Sequence, residues 1–341
     1  MHCIARKVLL TLCAVVATSG HAFAADYALK QKFTIGGEGG WDYLTYDAHA
    51  NRLFISRGTH VQVVDPGTGS VLGDIPETPG VHGIAPADDL GKGYTSNGRD
   101  NSVTVFELRS LKTIARIRLE GAKNPDFILY DAASRRVFAF NGRSRNASVI
   151  DAETDKPVAT IALSGKPEAA AADGRGGVFV NIEDADALSV IDARNAVVLR
   201  SWPLAGCHEP AGLAIDPQTR RLFVGCHNKA LLVVDAENGK AVASLPIGEG
   251  VDANAFDAQT GLGFSSQGDG SLTVIREEAA DKFSVVQNAV TQRGARTMAL
   301  NPKTHDVYLV TAEIEETAVP EGRPRRTLKP GTFTLLVFGV K

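Results

Sequence analysis

The chain has 341 residues, 39 of them acidic and 36 basic, for a formal charge of −3 with 44% hydrophobic and 6% aromatic residues. That balance lacks the basic excess by which a domain captures nucleic acid or an anionic membrane, and disfavours both partners. No apolar run is long enough for a membrane-spanning helix, so no membrane span is expected.

Residues 1–24 read as a secretory signal. Arg6 and Lys7 supply the positive start, Val8 to Ala17 the apolar stretch, and Ala22-Phe23-Ala24 the cleavage site, so the mature chain begins at Ala25. The rival, a lipid anchor on Cys13, has Leu12 where a small residue is expected. The expected location is the periplasm or the medium. Removing 24 of 341 residues leaves 317, and because the signal carries two basic and no acidic residues the mature charge is −5. Cys3 and Cys13 leave with it. Cys207 and Cys226 remain, and two cysteines in an exported protein read first as one disulfide.

Ala28 to Ile35 reads as a strand with no blade of its own. After it one phrase recurs: a hydrophobic strand ending in Asp or Asn, a short turn, then a strand centred on an aromatic. Asp47 leads to Arg52-Leu53-Phe54-Ile55, Asp131 to Arg136-Val137-Phe138, Asp173 to Val178-Phe179-Val180, Asp216 to Arg221-Leu222-Phe223-Val224, and Asn301 to Val307-Tyr308-Leu309-Val310. Two copies are degenerate, Gly93-Tyr94-Thr95 and Leu262-Gly263-Phe264. With markers at 54, 94, 138, 179, 223, 263 and 308 the steps run from 40 to 45 residues. A strand-type repeat of that period predicts a β-propeller. A third strand repeats as well: Val63-Val64-Asp65, Val149-Ile150-Asp151, Val190-Ile191-Asp192 and Val233-Val234-Asp235.

In the fifth repeat the strands parse as Ala211 to Ile215, Arg221 to Gly225, Leu231 to Asp235 and Ala241 to Ile247, with Asp-Pro and Asn-Gly turns between them. The fold class is therefore all-β: a seven-bladed β-propeller of four-stranded antiparallel blades. It fills residues 25–341 as one domain. The last blade lacks an outer strand at the C-terminus, so the N-terminal strand is expected to complete it and close the ring, removing exposed sheet edges. A closed ring buries its core without a partner, and a monomer is expected.

The Val-Val-Asp and Arg-Leu-Phe-Val phrases resemble the YVTN-type repeat, and the chain from about residue 28 to 341 looks like an exported bacterial YncE-like propeller. The resemblance implies the fold. Relatives in that class are linked to lactone hydrolysis, DNA binding and adhesion, and no single catalytic motif defines it, so it implies no site residues.

The residues leading into the inner strands are ionisable in every repeat. Asp42, His82, Asp126 and Arg296 lie twelve positions before their markers and Glu168 and Asp252 eleven before, with Glu209 as the representative of the fifth repeat. Converging on a channel mouth, such a ring suits a divalent metal, a polyhydroxylated ligand or a water poised for hydrolysis, and crowding raises the proton affinity of its acids. Alternatively the same groups stitch neighbouring blades together. Ser96-Asn97-Gly98-Arg99 and Phe140-Asn141-Gly142-Arg143 are near copies, read either as Asn-Gly turns or as an Arg99 and Arg143 pair flanking an anion. Cys207-His208 and Cys226-His227 fall on one face of one blade; a disulfide is favoured over a Cys2His2 metal site, because adjacent Cys-His pairs do not easily aim four side chains inward. The loop 313–330, with Pro320, Pro324, Pro330, Arg323, Arg325 and Arg326, is read as extended and mobile, a lid over the mouth or an insertion.

There is no nucleophile elbow, metalloprotease helix, Cys-x-x-Cys pair, EF-hand loop, phosphate-binding loop or haem attachment site. The expected function is a non-enzymatic binding or scaffold module for a small ligand, metal or partner protein at the channel mouth. The alternative is a metal-dependent, lactonase-like hydrolase or lyase that uses Asp126, Glu168, Glu209 or His82.

Overall fold

The computed structural model describes residues 26–279, 281–317 and 325–341. Residues 1–24, read above as a secretory signal, lie outside the described residues. Seven four-stranded antiparallel sheets follow one another around a ring. Blade three is typical: Pro125–Asp131, Arg136–Asn141, Asn146–Asp151 and Lys156–Ala162, in that order from the channel outwards. Blade seven is Met298–Leu300, Val307–Thr311, Thr334–Val340 and, outermost, Tyr27–Thr34 from the other end of the chain. The N-terminal strand pairs from Tyr27 opposite Val340 to Thr34 opposite Thr334, with one irregularity between Leu29 and Gln31, so the ring closes as the sequence predicts.

The repeating residues have local causes. Each acid ending an inner strand is buried and caps its own turn: Asp47 accepts from the amides of His49 and Ala50 at 2.9 and 3.0 Å, and Asp216 from that of Gln218 at 2.9 Å. These are Asx-type turns, in which the side chain substitutes for the next peptide carbonyl. The aromatic two residues into the second strand is the wedge between blades. Seven hydrophobic clusters fill the molecule, each shared by two neighbouring blades, so burial and ring closure are one event. Phe223 of blade five, for example, stacks on Phe256 of blade six at 5.0 Å.

Register corrects the marker of blade six. Phe223 pairs with Val233 and Phe138 with Val149; the equivalent pair in blade six is Phe264 with Val274, not Gly263 with Ile275. Moved to 264, the marker places Asp252 twelve positions upstream, in step with Asp42, His82, Asp126 and Arg296.

The loop 313–330 carries structure of its own, a two-stranded ribbon of Ile314–Thr317 against Arg325–Leu328. Its tip, residues 318–324, lies outside the described residues. Cys207 and Cys226 form a disulfide, and both are buried against the cluster between blades four and five. Closing a 19-residue separation contributes about 3 kcal/mol by restricting the unfolded chain. No helix among the described residues is long and apolar enough to cross a membrane.

Candidate functional site

In blades two to six the inner strand begins with one ladder pair, skips, and resumes: Val81 opposite Asn97 and then Ile84 opposite Thr95, Pro125 opposite Asn141 and then Ile128 opposite Ala139, Pro167 opposite Ile182 and then Ala170 opposite Val180. The residues skipped include His82, Asp126 and Glu168. Asp252 lies in the same irregularity of blade six. A bulge frees a residue from the ladder and re-aims its side chain, which turns these four towards the channel mouth.

Side chains of one blade hold the entry of the next inner strand. Ser96 donates to the carbonyl of Asp126, and Ser266 to that of Arg296. Asn181 donates in the same way to Ala211, at 2.9 Å. That contact and the register, Pro210 opposite Cys226 and then Leu213 opposite Val224, put Ala211 at the ring position of blade five. Glu209 is therefore not a ring residue. It precedes the strand with a φ of 49°, its side chain is 62% exposed, and it faces His227 at 3.4 Å.

The ring is an interlocked set of charges. His82 Nδ1 lies 2.6 Å from Asp42 and 3.6 Å from Asp126. Arg296 sits 3.5 Å from Asp252 and 3.9 Å from Asp42. Lys166 pairs with Glu168 at 3.1 Å and also with Glu183. The phenol of Tyr43 reaches across from blade one to within 3.5 Å of Glu168. Tyr43 meets Phe127 edge-on at 5.2 Å, and both line a cavity of about 290 Å³ with the inner strands of blades one to three.

Burial raises the acids. It pushes Glu168 up to about 8, reinforced by Asp126 and opposed by Lys166. It pushes Asp252 to about 6 against the pull of Arg296, and lifts Asp126 against that of His82. For the His82 imidazole desolvation pulls downward, but the Asp42 hydrogen bond and the charges of Asp126, Asp42 and Glu168 together leave it raised. Tyr43 is raised strongly by burial and the surrounding carboxylates. The ring thus holds protons that an open surface would release, and a bound cation would displace them.

One ligand atom each from Asp42, His82 and Asp126 lies within 4.8 Å of the others. Donors about 2.0–2.5 Å from one ion stand up to about 5 Å apart, so the three fit a single divalent cation. An imidazole with two carboxylates suits Zn²⁺ or Mn²⁺ better than an all-oxygen ion site would.

The near copies Asn97-Gly98-Arg99 and Asn141-Gly142-Arg143 are neither Asn-Gly hairpin turns nor an anion clamp. Asn97 donates to Ser102 and Thr104 at 3.0 and 2.9 Å, and buried Asn141 to Asn146 and Ser148 at 2.8 and 3.0 Å, so both stitch second strand to third. Neither glycine has a positive φ; the left-handed residues are Asn101 and Arg145. Gly98 is required for space, because a Cβ there would stand 2.7 Å from His82 Nε2. Arg99 and Arg143 are exposed, and among the described residues neither side chain bonds to a ring residue. The Cys2His2 alternative falls with the disulfide; His208 pairs instead with Asp186 at 3.0 Å.

Two participants were missed in the sequence: Tyr43 and Lys166. Tyr43 and Phe127 each follow a ring acid, and an aromatic at that step was the available signal.

No family model and no curated protein matches the sequence. Among solved structures the chain is similar to one in the mitotic checkpoint complex, with a TM-score of 0.75 at 14% identity over 98% of this chain and 99% of that one. It is also similar to a chain of Kuenenia stuttgartiensis hydrazine synthase, with a TM-score of 0.69 at 17% identity over 79% of this chain and 92% of that one. At such identities the likeness establishes the fold alone. The protein is a seven-bladed β-propeller, an architecture generally used to bind or to scaffold.

Proposed function

We propose that this chain is an exported, YVTN-like binding propeller whose channel mouth takes a divalent cation, and through it a small polar ligand or partner group. The observation that carries the reading is the convergence of Asp42, His82 and Asp126 from three consecutive blades on one point. Buried oxygens of Glu168 and Asp252 that face a cationic side chain without a hydrogen bond support it, since they leave acceptor capacity beside that point. The disulfide and the signal-like start support export.

Calorimetric titration with Zn²⁺ and Mn²⁺ tests this. One saturable site is expected, with affinity rising from pH 6 to 8 as the ring gives up protons. Asp126→Asn should weaken it at least tenfold while the melting curve stays cooperative. Equal affinity in the variant would remove the proposal.

One observation favours a second reading, a cation-dependent hydrolase: Glu168, neutral up to about pH 8 beside Asp126, is a proton donor at working pH. Turnover of a lactone by cation-loaded protein, lost in Glu168→Gln with cation affinity retained, would carry that reading over the first.

A further inference from the structure

Away from the ring, Arg57 is the one arginine among the largest fully buried side chains, 2% exposed. Its guanidinium lies 3.6 Å above the ring of Phe333. Nη2 donates to the carbonyls of Glu38 at 2.8 Å and Gly39 at 3.4 Å, while Nε and Nη1 are buried with no hydrogen-bond partner. No carboxylate lies within ion-pair distance among the described residues. Burial lowers its pKa only to about 10, so it stays charged at neutral pH. A buried cation without a counter-charge is a configuration that proteins rarely leave standing.

What separates this charge from solvent is the segment Gly36-Gly37-Glu38-Gly39-Gly40, with positive φ at Gly36, Gly37 and Gly39. A Cβ on Gly37 would stand 3.7 Å from Arg57 Nη2, and one on Gly39 would press the Arg57 carbonyl at 3.0 Å. Gly36 donates its amide to Phe333, but the amides of residues 37 to 40 have no protein acceptor among the described residues. Gly37 to Gly40 line a cleft of about 380 Å³ together with Ala312, Leu328, Lys329, Pro330 and Phe333. Unbonded glycine amides on a left-handed backbone are a recurrent anion cradle, and here a cation stands behind them.

We propose that this cleft, between the glycine segment and the base of the 314–328 ribbon, binds a small oxyanion, a carboxylate or phosphate carried on an apolar body. The anion takes the glycine amides and, as the Glu38 and Gly39 carbonyls swing away, the donors of Arg57. Phe333, Leu328 and Pro330 hold the apolar part. The inference does not depend on the cation reading.

The probes are inorganic phosphate and acetate, titrated into the metal-free full chain at constant ionic strength. Saturable binding is expected, read by the fluorescence of Trp41, whose indole packs 5.5 Å from Phe333, and by slowed hydrogen exchange of residues 36–41. Tighter phosphate identifies a phosphoryl ligand, and tighter acetate a carboxylate. Arg57→Met, which keeps the stack on Phe333, should weaken binding at least tenfold. If that variant does not fold, Gly39→Ala, strained at a φ of 92°, gives the second arm with the same expected loss. Unsaturable response to both anions, or unchanged exchange at residues 36–41 in the wild-type protein, would overturn the proposal.

Discussion

Deleting residues 25–35 is expected to abolish cooperative melting rather than merely lower the midpoint. The deleted strand is the outer strand of blade seven, and it also bonds to blade six. The Tyr27 amide donates to Gln287 Oε1 at 2.8 Å and Gln287 donates back to the Tyr27 carbonyl at 2.8 Å, while within blade seven the phenol donates to the His305 carbonyl at 2.9 Å. Tyr27 itself is 1% exposed and meets Phe264 edge-on at 4.9 Å. Without the strand, Thr334–Val340 becomes an open edge whose ladder groups invite a second chain. The single change Tyr27→Ala removes the aromatic and its bonds. It should cost about 3–5 kcal/mol and lower Tm by roughly 5–10 °C. A truncated protein that melted at the wild-type midpoint in calorimetry would show that the ring does not depend on this closure.

The second large effect concerns protons. In the folded chain Glu168 holds its proton up to about pH 8, whereas the unfolded carboxyl releases it near 4.5. Between those values the folded state binds more protons than the unfolded one, so stability falls as pH rises through the window. Asp252, raised to about 6, acts in the same direction at lower pH. The raised His82 does so too, since its contribution is complete below the unfolded histidine value and is lost as pH passes the folded one. The metal-free protein should therefore lose stability from pH 5 to pH 9 through this site. Glu168→Gln keeps the shape of the neutral acid and has no proton to lose. Relative to wild type it should gain on the order of 2 kcal/mol at pH 9 over its standing at pH 5. Urea unfolding at both pH values checks this; a wild-type-to-variant difference independent of pH would mean that Glu168 is ionised throughout.

The fold was legible because its repeat has physical causes that act within the sequence. An Asp capping its own turn and an aromatic wedged between blades recur wherever a blade does. The exception is instructive: Leu262-Gly263-Phe264 offers two centres, and only its pairing with Val274 and Ile275 decides between them. The ring was partly legible for the same reason, since a near-constant distance from the aromatic finds the residue at the entry of the inner strand. It failed in blade five, where the disulfide-bearing turn holds the more conspicuous Glu209 while Ala211 takes the ring place. Lys166 and Tyr43 were not legible, because their roles come from reaching a residue of their own or another blade across the mouth. That the glycine segment after the N-terminal strand buries Arg57 is visible only in three dimensions.

The account turns on one point in space, between Asp42, His82 and Asp126. The most direct measurement is an anomalous-difference map from crystals grown with Mn²⁺ or Zn²⁺ near pH 8. The account predicts a single strong peak about 2.0–2.5 Å from His82 Nδ1 and from a carboxylate oxygen of both Asp42 and Asp126. A map featureless at that point under saturating metal, with His82 still bonded to Asp42, would contradict it.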